Sequence, residues 1–235
     1  CKENILGDWT ESYLPAGNLY IDTNVPELKE HGSYQRQLSL RDALEQVVYR
    51  QDGQVYQREF FTSMSEPVMA LHYKADAYSN LELHISLDSQ IRHACSAFGT
   101  NGLVLEGQAP IYVAPPYYSC EHPIVYEGGI GLSVQAPKGC VCQKDNTLLV
   151  TAENDVYIYL SGITDFQSQD SYLARKKQML ERICNLSYPQ LKESHQKAYE
   201  AYFDRMDLTL NPGIQNDLIT KMFHYARYLM ISSSK

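Results

Sequence analysis

The feature that most constrains this chain is a change of hydrophobic period near residue 168. Before it, apolar residues recur at every second position; after it, at every third or fourth. Leu81, Leu83, Ile85 and Leu87 alternate with Glu82, His84 and Ser86, the pattern of a strand with one face buried and one wet. Val47 to Arg50 and Val55 to Phe61 flank Gln51-Asp52-Gly53-Gln54, and an Asp-Gly pair supplies the positive φ angles of a tight hairpin turn. Further candidate strands are Leu19 to Asp22, Tyr34 to Leu40, Val68 to Lys74, Leu103 to Gly107, Gly131 to Gln135, Thr147 to Thr151 and Asp155 to Leu160. About nine short strands, divided by Gly, Pro, Asn and Asp turns with no helical period between them, predict an antiparallel sandwich rather than a parallel α/β sheet.

The second period opens with Leu173, Leu180, Ile183 and Cys184. A clearer stripe follows in Leu191, His195, Ala198, Tyr199, Tyr202, Phe203 and Met206, with Pro189 in the first turn, where its missing N–H costs nothing. After Asn211-Pro212-Gly213 a third helix is predicted with Ile214, Leu218, Met222, Tyr225, Ala226 and Leu229 on one side, facing Tyr199, Tyr202 and Phe203 of the helix before it. Phe223, Met230 and Ile231 fall on its other sides, so the third helix is expected to keep apolar surface uncovered and to drive self-association. Strands first and helices last make the fold class α+β: an antiparallel β-sandwich followed by segregated helices.

Composition removes several classes of function. The longest unbroken apolar run, Val156 to Leu160, falls far below the roughly 20 residues that a membrane-spanning helix needs. A net charge of −8, with no basic cluster longer than Arg175-Lys176-Lys177, argues against capture of nucleic acid or of an anionic membrane. The chain has 19 Tyr against 6 Phe, which suits neutral polar ligands, because a tyrosine ring offers an apolar face and a polar tip. Six scattered cysteines form no disulfide framework and lean towards a reducing compartment, the bacterial cytoplasm. Cys140-Val141-Cys142 has no His close by in sequence, so neither a metal nor a cofactor is assigned.

Motifs for nucleophilic, phosphate-binding or zinc-protease chemistry are absent. Glu59, Asp76, Glu106 and Glu127 are acids that could in principle supply a glycosidase pair, but spacing on strands does not show two acids flanking one bond, and salt bridges and solvated turns are the better explanation of them. His72 and His84 could meet across neighbouring strands, or sit as ordinary surface residues. The most unusual stretch runs from Glu106 to His122, rich in proline and tyrosine: stiff loops carrying aromatics lose little entropy on ordering, so Tyr117, Tyr118 and His122 are candidates for contact with a sugar or with a neighbouring domain.

Several segments together resemble glycoside hydrolase family 95, the α-L-fucosidase-like enzymes that include α-L-galactosidases. They are Tyr13-Leu-Pro-Ala-Gly-Asn-Leu-Tyr-Ile-Asp22; Tyr34-Gln-Arg-Gln-Leu-Ser-Leu40; Val55-Tyr-Gln-Arg-Glu-Phe-Phe-Thr-Ser63; Leu105-Glu-Gly-Gln-Ala-Pro110; and the pattern from His195 through Tyr199 to Met206, followed by Phe223-His-Tyr-Ala-Arg227. The resemblance implies a super-sandwich lacking its first strands over 1–166, a helical linker over 167–210, and over 211–235 the first helix of an (α/α)6 catalytic barrel that is otherwise missing. It further implies a carbohydrate substrate, inversion at the anomeric carbon, and catalytic residues that lie in the missing barrel, so no residue of this chain is assigned a catalytic role. Departures are Ala226, where the family usually has Gly, and a short connection at Asn211-Pro212-Gly213. A stand-alone carbohydrate-binding or interaction module derived from such an enzyme is the other reading.

Overall fold

A computed structural model describes residues 15–25, 33–51, 53–76, 80–110, 125–165 and 171–234. Two antiparallel sheets lie face to face. The smaller has the order β1-β6-β11-β10, from Asn18–Thr23 (β1), Leu81–Asp88 (β6), Thr147–Ala152 (β11) and Gly139–Lys144 (β10). The larger has the order β2-β3-β4-β5-β12-β9-β8-β7. Its strands are Tyr34–Ser39 (β2), Leu44–Gln51 (β3), Gln54–Thr62 (β4), Met69–Ala75 (β5), His93–Phe98 (β7), Gly102–Pro110 (β8), Val125–Gln135 (β9) and Asp155–Thr164 (β12). Three helices follow: α1 (Tyr172–Cys184), α2 (Tyr188–Phe203) and α3 (Ile214–Ser233). None of the described helices is long and apolar enough to cross a membrane.

The alternation read from β6 holds. Leu81, Leu83, Ile85 and Leu87 are all buried in the core between the sheets, where burial of each side chain stabilises by about 1.5–3 kcal/mol. Gln51 pairs with Gln54 across the β3–β4 hairpin, and Gly53 has φ 80°, a left-handed backbone that glycine adopts without strain; Asp52 lies outside the described residues. Two strands were not anticipated, β7 and β10. Each lies at an edge of its sheet, and their sequences, His-Ala-Cys-Ser-Ala-Phe and Gly-Cys-Val-Cys-Gln-Lys, carry too little apolar alternation to announce a strand.

The larger sheet is covered on both faces. Val156 and Ile158 of β12 enter the core between the sheets, while Tyr157 and Tyr159 point into a second core formed with α1 and α2. A central strand buried on both faces reads as an unbroken apolar run, which explains Val156 to Leu160. Helix α1 comes close because β9 presents Gly131 beneath it: a Cβ there would lie 2.7 Å from Leu180, 2.8 Å from Met179 and 3.2 Å from Ile183. Leu173, included in the α1 stripe by its spacing, is instead exposed, and Met179 takes its place against the sheet.

Candidate functional site

A dense polar cluster lies where the turn between α1 and α2 meets the larger sheet. Register places Glu59, His72, Tyr157 and Gln135 side by side on β4, β5, β12 and β9, in one row across the sheet and on the helix-facing side. Tyr188 opens α2, with Pro189 beside it in the first turn, and its side chain lies over this row. The Tyr188 ring stacks on Tyr157 at 4.9 Å and leans on His72 at 5.0 Å. Its hydroxyl donates to Glu59 Oε1 at 2.6 Å, and Lys192, one helical turn on, donates to both Glu59 oxygens at 2.8 Å. At the far end of the row, Gln135 Nε2 donates to the carbonyl of Leu186 at 3.0 Å.

Burial shifts two of these groups. Burial, followed by the neighbouring Glu59 carboxylate, pushes the Tyr188 hydroxyl far above the ordinary tyrosine range, so it remains a neutral donor. Burial likewise lowers His72, against the opposing pull of Asp155, whose Oδ1 lies 2.7 Å from its Nε2. Glu59 is only 5% exposed, and its oxygens are taken by Tyr188 and Lys192. An acid so engaged fastens the helix to the sheet.

Farther along α2, His195 is a second fastening. Its Nδ1 accepts from the Met64 N–H at 3.1 Å, its Nε2 donates to the Asp42 carbonyl at 3.0 Å, and its ring stacks on Phe61 at 4.8 Å. Both nitrogens are occupied in a neutral tautomer, which excludes a role as general base. Tyr199 donates to the Leu40 carbonyl at 3.0 Å, and burial leaves its hydroxyl pushed up to about 12.

The remaining candidates separate. Glu106 accepts from Lys176 at 2.7 Å, and Asp76 accepts from the Val55 N–H at 3.1 Å. The Glu127 side chain lies outside what is described. His72 and His84 belong to different sheets, so the pairing that strand proximity allowed does not occur. Tyr117, Tyr118 and His122 lie outside the described residues. Their loop is rooted where β8 and β9 pair at Pro110 and Val125. Near that root a cavity of about 600 Å³ is lined by Ile91, Ala109, Ile130, Ile163 and Met179, with Ser161, Thr164, Arg175, Gln178 and Arg182 as its polar groups. Apolar surface beside a few polar groups is chemistry suited to a sugar ring. Sequence reasoning missed the Glu59–Tyr188–Lys192 cluster. Its one signal was an acid at a helix-facing position of an interior strand.

Residues 1–169 match the family described as glycosyl hydrolase family 65, N-terminal domain. The chain belongs to that family. Among curated proteins it is similar to alpha-L-fucosidase 2 of Arabidopsis thaliana, 23% identical over 97% of this chain and 32% of the relative. It is also similar to a protein named alpha-fucosidase A from Aspergillus niger, 26% identical over 95% of this chain and 31% of the relative. The chain therefore spans about a third of the length of the curated relatives that it matches. Among solved structures, one assigned as a kojibiose phosphorylase from the human microbiome superposes with a TM-score of 0.60 at 15% identity, over 93% of this chain and 32% of that one. This likeness shows the shared sandwich-and-helix fold. With the fucosidase relatives beside the family 65 match, the chain is an N-terminal glycoside hydrolase domain of the family 95 type, the two families sharing a related fold here.

Proposed function

We propose that residues 1–235 are the non-catalytic N-terminal part of an exo-acting glycoside hydrolase, an inverting α-L-fucosidase or α-L-galactosidase that removes terminal sugars from oligosaccharides. One observation carries the reading: relatives named for α-fucosidase activity align over nearly this whole chain, which amounts to under a third of their own lengths. The fastened acids agree with it, since Glu59 and Glu106 each hold a helix to the sheet. In this reading Tyr117, Tyr118 and His122 contact the sugar or the catalytic domain. A bacterial cytoplasmic location goes with it, supported by the free thiols of Cys95, Cys140, Cys142 and Cys184.

Incubation of purified 1–235 with an aryl α-L-fucoside and with a 2′-fucosylated oligosaccharide should give no turnover. The product of the complete reading frame should hydrolyse both, releasing the β-anomer first by NMR, and an aryl α-L-galactoside tested beside them identifies the preferred sugar. Turnover by 1–235 that disappears in Glu59→Gln or Glu106→Gln would overturn the proposal. In the complete enzyme, replacement of Tyr117 and Tyr118 by Ala should raise KM.

A further inference from the structure

The fold and the proposed glycosidase role leave one pair of reactive side chains unused. Cys140 and Cys142 lie on β10, an edge strand of the smaller sheet, and both are exposed. Val141 between them packs towards the core, so alternation directs both thiols to the outer face. Spacing alone says only that they share a face; the structure brings their sulfurs to 3.6 Å.

That separation discriminates between two fates of a thiol pair. Residues two apart on a strand have Cβ atoms about 6.6 Å apart, whereas a disulfide needs about 3.5–4.5 Å, so the extended backbone of β10 opposes closure into a disulfide. Two thiolates on a tetrahedral zinc-like ion, with metal–sulfur bonds of about 2.3 Å, stand about 3.8 Å apart. The observed sulfur separation is already close to that bite.

We propose that Cys140 and Cys142 form a two-thiolate site for a soft d10 dication of the zinc group on the outer face of β10. Two S–H bonds lose their protons to solvent, two metal–sulfur bonds form and two metal-bound waters leave. Among the described residues no group of three or more His, Cys, Asp and Glu side chains surrounds an ion, so the two remaining positions stay with water or an added thiol.

The probe is cadmium, titrated into the reduced chain under anaerobic conditions and followed by thiolate-to-metal charge-transfer absorption. One equivalent should produce the band. Cys140→Ser and Cys142→Ser should each weaken binding at least tenfold, and the double variant, with its fold checked by near-UV circular dichroism, should lose the band. Below the thiol pKa values the apparent affinity should rise about a hundredfold per pH unit, tenfold for each proton released. A wild-type measurement stands beside these: zinc should slow alkylation of Cys140 and Cys142, mapped by peptide mass spectrometry, more than that of Cys95 and Cys184. No band at equimolar metal, a band that survives in the double variant, a one-proton slope, or equal protection of Cys95, Cys140, Cys142 and Cys184 would each overturn the proposal. None of these readouts depends on glycosidase activity.

Discussion

Helices α2 and α3 follow one another and both carry apolar stripes, yet the fold uses them in opposite ways. On α2, Tyr188, Leu191, His195, Tyr199 and Phe203 are all buried, and most of them carry a polar atom that finds a specific partner on the sheet or its loops. On α3 no residue is buried. The expected stripe faces solvent, with Ile214 91% and Met222 62% exposed. The helix docks instead by the side carrying Phe223, His224, Arg227, Tyr228 and Ile231. Arg227 donates to the Phe203 carbonyl with its guanidinium 4.6 Å above the Phe203 ring, and Tyr228 and Ile231 pack against the small cluster around Tyr199. The difference teaches that an apolar stripe locates a helix only when its neighbours offer directional partners to match. Hydrophobic area alone left α3 lying on the body by its more polar side.

The sharpest way to break this contrast is to truncate matched apolar side chains. Tyr199→Ala should cost about 3–5 kcal/mol in urea unfolding, whereas Leu218→Ala should remain within about 0.5 kcal/mol of the parent. Equal losses would mean that α3 is as integral as α2. A smaller effect is expected from Glu59→Gln, which keeps the shape but removes the charge under Lys192. Since Lys192 is partly solvated, a loss of about 1–3 kcal/mol is expected, and Lys192→Met in the same background should recover part of it. Removing α3 altogether, by ending the chain near Met206, should leave the midpoint of unfolding nearly unchanged while abolishing self-association in sedimentation. A monomeric 1–235 would remove the basis for that expectation.

The mildest test uses pH. Burial holds His195 and His72 below the ordinary histidine range, so the unfolded chain takes up protons that the folded chain refuses. Their contribution to stability is complete above about pH 6.5 and is lost as pH falls towards the depressed folded values. His195→Gln, which keeps one acceptor and one donor, should flatten the fall in stability between about pH 6.5 and 5. An unchanged slope would mean that His195 does not titrate on unfolding.

Much of the fold could be read from local pattern, because β6 and the β3–β4 hairpin each carry their own signal within a few residues. What could not be read depends on partners distant in the chain. Glu59 looks like any strand acid until Lys192, 133 residues away, is placed above it. His195 was legible as part of a helical stripe, but its two hydrogen bonds go to backbone groups, which leave no mark on the sequence. The docking side of α3 was misread for the same reason. Arg227 is polar by type, and only the free carbonyl of Phe203 at the end of α2 turns it inward.

The two-sided burial of β12 also bears on how the molecule comes apart. Its even-numbered residues from Val156 belong to the core between the sheets and its odd-numbered ones from Tyr157 to the core under the helices, so neither core can open without stripping the strand that the other requires. Sandwich and helical cover are in that sense a single cooperative unit. α3 lies outside it, a segment whose opening free energy is set by a few contacts with the end of α2, and amide exchange along the chain should divide at that point.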